Sequence, residues 1–206
     1  MRKIALWPLA ATLGVAVAGY ASPVNKPSTP KPQASASNPQ EQTMTSSLSA
    51  EEIGHRVLKL IDGIHNIDDI SPEHIEEVFG MKLVVNPSDS NDYGYDGKLT
   101  DAWTYSFGSV TDSKGGKPTQ LRLSFDDQTR KGADMTPICG LDLDGYAKNL
   151  TAAGFKASPY YAEHGRLISW DFSRGKVAVK INVRGESNAK ATHNCVSILT
   201  LDIVDA

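Results

Sequence analysis

Residues 103–108 read WTYSFG and residues 170–175 read WDFSRG. Each begins with Trp, carries an aromatic at the third place, Ser at the fourth and Gly at the sixth. Aromatics at alternate places suit a pleated strand with one buried face. Working outward, AWTYSFGSV (102–110) alternates as a strand, DSKGGKP (112–118) reads as a turn, and TQLRLSFDD (119–127) returns with Leu121, Leu123 and Phe125 on one face. Around the second motif, RLISWDFS (166–173) is a strand, Arg174 and Gly175 begin a tight turn, and KVAVKINVRG (176–185) alternates strongly. CVSILTLDIV (195–204) is the last strand, with Ser197, Leu199, Leu201 and Ile203 as its core face and enough apolar surface on both faces for a central place.

Helical signals precede each group of strands. Ser49 with Glu52 forms a capping box, and Ile53, Val57, Leu60, Ile61 and Ile64 recur at helical spacing. Ser71 caps a second helix with Pro72 at its first position, Ile75, Val78 and Phe79 on its apolar face, and Gly80 at its end. MKLVV (81–85) is then a short strand, and NPSDSNDYGYDGKLTD (86–101) reads as a turn-rich loop. In the second half, DQTRKGADMTPICG (127–140) is an irregular crossing. LDLDGYAKNLTAAGF (141–155) is a helix with Leu143, Tyr146, Ala147, Leu150 and Ala153 inward and Gly154 at its end. KASPYYAE (156–163) is a strand or edge segment, since Pro159 argues against a central position, HG (164–165) is a turn, and ESNAKATHN (186–194) is a polar loop.

This order predicts an α+β fold, a mainly antiparallel sheet with helices packed on one face. Two divergent α-β-β-β units, 47–130 and 138–206, are one reading of it. The other is chance reuse of Trp and turn Gly, since 23 places separate Gly80 from Trp103 but 16 separate Gly154 from Trp170.

The N-terminus reads as a secretory signal, residues 1–21. Arg2 and Lys3 precede an apolar run, Ile4–Ala18, that is shorter than the roughly 20 residues needed to span a bilayer, and small residues close it. No Cys stands where a lipoprotein would be acylated, so a soluble periplasmic protein without membrane insertion is expected. Residues 22–46, rich in Pro, Ser, Gln and Thr, read as a disordered linker. The domain is then 47–206. The formal charge is −3 for the whole chain and +3 for the residues before Ser47, leaving −6 for the domain. That disfavours nucleic acid, which needs a basic stripe. The two cysteines of an exported chain, Cys139 and Cys195, are expected as a disulfide contributing roughly 3–4 kcal/mol.

Chemistry is not signalled. There is no G-x-S-x-G, no Gly-rich phosphate loop, no H-x-x-x-H and no C-x-x-C; the only metal-like spacing is the tripeptide HNC (193–195). DSNDYGYDG (89–97) lacks the closing Glu of a calcium hand. Asp142 and Asp144 open a helix, where the dipole favours acids without catalysis. No catalytic residue, cofactor or metal is therefore assigned. The tyrosines at loops or edges suit contact surfaces. The candidate partner-binding residues are Asp92, Tyr93, Tyr95 and Asp96 in the acidic loop, and Tyr160, Tyr161, His164 and Arg166 around the 162–166 turn.

SPEHIEEVFGMKL (71–83), AWTYSF (102–107) and LRLSFDD (121–127) resemble the SmpA/OmlA (BamE-like) outer-membrane assembly lipoproteins. Two such units in tandem resemble the beta-lactamase-inhibitor-protein architecture, which implies target binding on one sheet face and its loops. The resemblance covers 71–127 well and the second half poorly, and the family's lipid-anchor Cys is missing. The leading expectation is a non-catalytic binding protein of inhibitor or immunity type that occludes a secreted toxin, a lytic enzyme or another hydrolase. An envelope-assembly or scaffold module is the alternative, and a hydrolase of unrecognised type the second.

Overall fold

Ala50–Gly63 (α1) starts where the sequence places it. Ser49 Oγ accepts from the Glu52 N–H while the Glu52 carboxylate accepts from the Ser49 N–H. The computed structural model describes residues 48–111 and 116–204, which belong to one compact unit, Met44–Ala206. The signal and the linker lie outside the described residues, as do residues 112–115 of the 112–118 turn. Pro72–Phe79 (α2) is capped by Ser71 and ends at Gly80, whose φ of 68° is the left-handed conformation that glycine adopts without strain. Leu143–Ala152 (α3) is capped by Asp142. All five predicted apolar positions, four in α1 and Ile64 at its C-cap, are buried.

Among the described residues, eight strands form a single antiparallel sheet: Val84–Asn86 (β1), Asp89–Lys98 (β2), Trp103–Val110 (β3), Gln120–Asp127 (β4), Lys156–Tyr161 (β5), Leu167–Arg174 (β6), Val177–Gly185 (β7) and Asn194–Ile203 (β8). Their order is β1-β2-β3-β4-β8-β7-β6-β5. From either edge the chain meanders inward to the last strand of its half, and β4 pairs with β8 at the centre. A helix precedes each meander. The α+β expectation with an antiparallel sheet is met, β8 is central, and Pro159 sits on an edge strand. The two Trp motifs are not equivalent within this order. WTYSFG lies in β3, third of its meander, and WDFSRG in β6, second of its own. Gly108 is inside a strand, whereas Gly175 turns the chain with φ 58°.

One sheet face carries the core. Tyr93 and Tyr95, Trp103, Tyr105 and Phe107, Leu121, Leu123 and Phe125, then Leu199 and Leu201 are buried against the three helices. Phe79 of α2 stacks on Tyr95 and Phe107, with ring centroids 5.0 and 4.8 Å away. Burying such rings contributes about 1.5–3 kcal/mol each relative to exposure. Opposite the core, Asp92, Asp96, Ser106, Arg122 and Lys180 are exposed.

Residues 89–98 are a strand and not a loop, so Tyr93 and Tyr95 are core residues with 5% exposure each rather than surface anchors. Their hydroxyls donate to the main-chain carbonyls of Ile70 and Met81, both at 2.6 Å. Burial pushes both phenols up to about 12. Asp and Gly disfavour strands intrinsically, but here Asp92, Gly94 and Asp96 occupy the uncovered side while Tyr93 and Tyr95 alternate into the core. In β8, Ser197 is bulged: Asn182 pairs with Ile198 and Val183 with Val196. The bulge turns Val196 into the core, and Ser197 instead donates to the Asn182 carbonyl at 3.1 Å.

Candidate functional site

The pairing register lines up Gly94, Gly108, Arg122, Thr200, Lys180 and Asp171 in one row across β2, β3, β4, β8, β7 and β6 on the uncovered face. At the first two, a side chain would collide with the backbone of the facing strand. A Cβ on Gly108 would lie 2.4 Å from the Tyr93 carbonyl oxygen, and one on Gly94 would lie 2.6 Å from that of Phe107. The pair floors a depression of about 360 Å³ bordered by Val84, Asp92, Asp96, Val110 and Arg122. Arg122 is exposed and makes no hydrogen bond or ion pair among the described residues. Val84 and Val110 are exposed apolar side chains at the same rim.

At the far side of the same face, Tyr160 of β5 pairs with Ser169 of β6, and Lys180 Nζ stands 6.0 Å from the Tyr160 ring centroid. Tyr160 and Tyr161 are each 54% exposed. His164 and Arg166 are exposed in the connection from β5 to β6, where His164 adopts a left-handed φ of 63°. The structure thus splits the predicted contact residues. Asp92 and Asp96 are exposed on the uncovered side of β2, with Asp92 accepting from Asn86 Nδ2 at 2.8 Å. Tyr160, Tyr161, His164 and Arg166 cluster at the β5 edge, and Tyr93 and Tyr95 leave the set. Arg122 and Lys180, between the two groups, were not readable from sequence. Only the register shows that they share a row.

No family model matches this chain, and no curated protein or solved structure matches it either.

A second constellation surrounds the disulfide Cys139–Cys195, whose Cα atoms are 5.1 Å apart. The 186–194 loop folds back so that His193 Nδ1 lies 2.6 Å from Glu186 Oε2 and its Nε2 lies 2.9 Å from Asp142 Oδ2. Glu186, read as part of a polar loop, is in fact buried. Its Oε1 accepts from Thr136 Oγ1 at 2.8 Å and from Lys190 Nζ at 3.0 Å. Hydrogen bonds from His193, Thr136 and Lys190 bring its carboxyl down to about 2. The imidazole is raised by Glu186 first and Asp142 second. Burial opposes ionisation of Asp142, but hydrogen bonds from the Gly145 N–H and from His193 outweigh it and lower its carboxyl. Both ring nitrogens face acceptor-only carboxylates, an arrangement that favours the doubly protonated ring and leaves neither nitrogen unpartnered. No local spacing joins Asp142 to His193, which are 51 residues apart.

No helix among the described residues is long and apolar enough to cross a membrane.

Proposed function

We propose that this chain is an exported, non-catalytic binding protein of inhibitor or immunity type that presents the uncovered face of its sheet to a secreted toxin or hydrolase. The supporting observation is the one-sided sheet. The helices cover one face, and the opposite face carries an Arg122 with no partner among the described residues, Lys180, exposed Tyr160 and a glycine-floored depression. Strand spacing of about 4.8 Å puts β2 and β5, six strands apart, roughly 29 Å from each other. A standard interface of about 800 Å² per partner is of that width, so one partner would reach both the Asp96 and the Tyr160 groups. Tyrosine and arginine are the side chains that dominate such contacts.

The test is purification of the tagged chain from the periplasm of its host, with and without crosslinker, beside an Arg122→Glu/Tyr160→Ala variant. Recovery of one secreted hydrolase or toxin with the parent chain, and its loss with a folded variant, is the expected result. Recovery of outer-membrane assembly proteins would replace this reading with a scaffold role. A monomer that captures nothing in either condition would overturn both.

A further inference from the structure

We propose that reduction of the Cys139–Cys195 disulfide converts the corner beside His193 into a zinc-class metal site. The ligands would be both thiolates and His193 Nδ1, and Glu186 Oε2, 2.6 Å from that nitrogen, is the neighbouring oxygen for a fourth place. The ligand atoms of Cys139, His193 and Cys195 lie within 4.8 Å of one another, and Cys139 Sγ is 3.9 Å from His193 Nδ1. Tetrahedral coordination with Zn–S of ~2.3 Å and Zn–N of ~2.0 Å sets sulfur and nitrogen about 3.5 Å apart and the two sulfurs about 3.8 Å apart. The Cys139 S···N spacing of 3.9 Å is already near this. Breaking the S–S bond frees the two side chains, on Cα atoms 5.1 Å apart, to reach the other spacing by χ rotation.

The surroundings supply the outer groups that metal sites use. Asp142 Oδ2 holds His193 Nε2 at 2.9 Å, the carboxylate–histidine arrangement that fixes ring orientation and leaves Nδ1 to bind metal. Thr136 and Lys190 occupy Glu186 Oε1, so Oε2 is the oxygen turned to the ring and free to exchange a proton contact for a metal contact. Cys195 is fully buried and Cys139 nearly so, which shields the thiolates from solvent.

The chemistry balances with a dithiol reductant. It gives two electrons and two protons to the disulfide and is itself oxidised to a disulfide, leaving two thiols here. Binding M²⁺ then releases the two thiol protons and the Nδ1 proton of the imidazolium. The same corner would thus hold either a covalent bridge or a metal, never both.

The experiment uses the full chain, reduced with dithiothreitol, desalted without oxygen and titrated with Co²⁺. A thiolate-to-cobalt charge-transfer band is expected in the reduced chain and absent in the oxidised one, with Zn²⁺ abolishing it. Asp142→Asn should weaken Co²⁺ binding by roughly 10-fold or more while keeping the band, and His193→Ala should weaken it further. Circular dichroism is followed in parallel. The proposal fails if the reduced chain binds no tighter than the oxidised one. It also fails if both variants bind like the parent, if urea-unfolded chain binds equally well, or if the reduced chain unfolds and cobalt does not restore the sheet.

Discussion

The Arg174 guanidinium on β6 donates from Nη2 to the main-chain carbonyl of Ile61 at 3.0 Å, across 113 residues of chain. The same nitrogen reaches the carbonyls of Asp62 at 3.0 Å and Ile64 at 2.9 Å, while Nη1 reaches that of Ala153 at 2.8 Å. Those oxygens close α1 and α3, neither of which has a basic residue in its own last turn. One sheet cation therefore caps two helices, where the dipole favours positive charge. The guanidinium also lies 4.5 Å over the Phe155 ring. Arg174→Ala should cost about 3 kcal/mol, since a charged hydrogen bond contributes ~1.5–3 kcal/mol and these act as a group. Arg174→Lys should recover part of it, because a point charge cannot span the two helix ends. Urea midpoints at constant slope measure this. A loss below ~1 kcal/mol for alanine would show that the carbonyls are capped equally well by water.

Tyr93 and Tyr95 separate core from surface roles cleanly. Each Tyr→Phe change removes one hydrogen bond, to the buried Ile70 carbonyl or to the part-buried Met81 carbonyl, which costs about 1–2 kcal/mol. Each Tyr→Ala change empties a ring-sized space at about 3–5 kcal/mol. Both phenols titrate near 12 when folded and near 10 when unfolded, so above pH ~10 the unfolded chain loses protons that the folded chain keeps. Stability should fall as pH rises from 10 to 12, and by less in the double Phe variant. Equal alkaline slopes in parent and variant would remove the tyrosines as the cause.

The contrast between these tyrosines and α1 shows what a sequence makes legible. Capping residues and helical periodicity act within a few positions, so Ser49, Glu52, Ser71 and Gly80 were readable as they stand. Leu121, Leu123 and Phe125 were readable for the same reason in a strand. β2 was not, because its polar residues carry turn propensities that packing overrides. Glu186 looked like one more loop carboxylate, and only long-range folding buries it against Thr136 and His193. The tripeptide HNC hinted at the corner, but its third sulfur-or-nitrogen partner, Cys139, arrives from 54 residues away. Arg122 and Lys180 became a shared surface only through strand register.

The clamp on His193 predicts a bounded pH window. Glu186 titrates at about 2 when folded against 4.5 ordinarily, so its contribution is complete above pH ~4.5 and disappears as pH falls towards 2. His193 is shifted the other way, above its ordinary 6.5. Its contribution is complete below pH ~6.5 and lost as pH rises through the folded value. Thermal stability should therefore be highest between pH ~4.5 and ~6.5. In His193→Gln, the decline above pH ~6.5 should flatten and the melting temperature at pH 6 should drop by several degrees. Glu186→Gln should lower it too, because the imidazole loses its nearest counter-charge. Melting profiles of the three chains that run parallel from pH 5 to 8 would mean the ring carries no differential charge.

The close approach of Gly94 and Gly108 holds β2 to β3. β2 is bound to β3 on one side and only to the three-residue β1 on the other, so its attachment rests on the β2–β3 ladder. At Gly108 an added methyl would meet the Tyr93 carbonyl oxygen at 2.4 Å and the Gly94 Cα at 2.9 Å, and neither is a side chain that can swing away. Gly108→Ala must therefore push the two backbones apart, at about 1–3 kcal/mol by analogy with overpacked cores. The strain falls on Tyr93 and Tyr95, whose rings lie on β2, so amide hydrogen exchange should quicken in 89–98 and stay unchanged in β7 and β8. The same change raises the floor of the depression beside Arg122. If partner binding uses that hollow, Gly108→Ala should weaken it while Lys82→Ala, on an exposed side chain paired with Glu76, should not. Exchange in 89–98 equal to that of the parent chain would show that the two strands can separate without strain, and that the glycines are there for another reason.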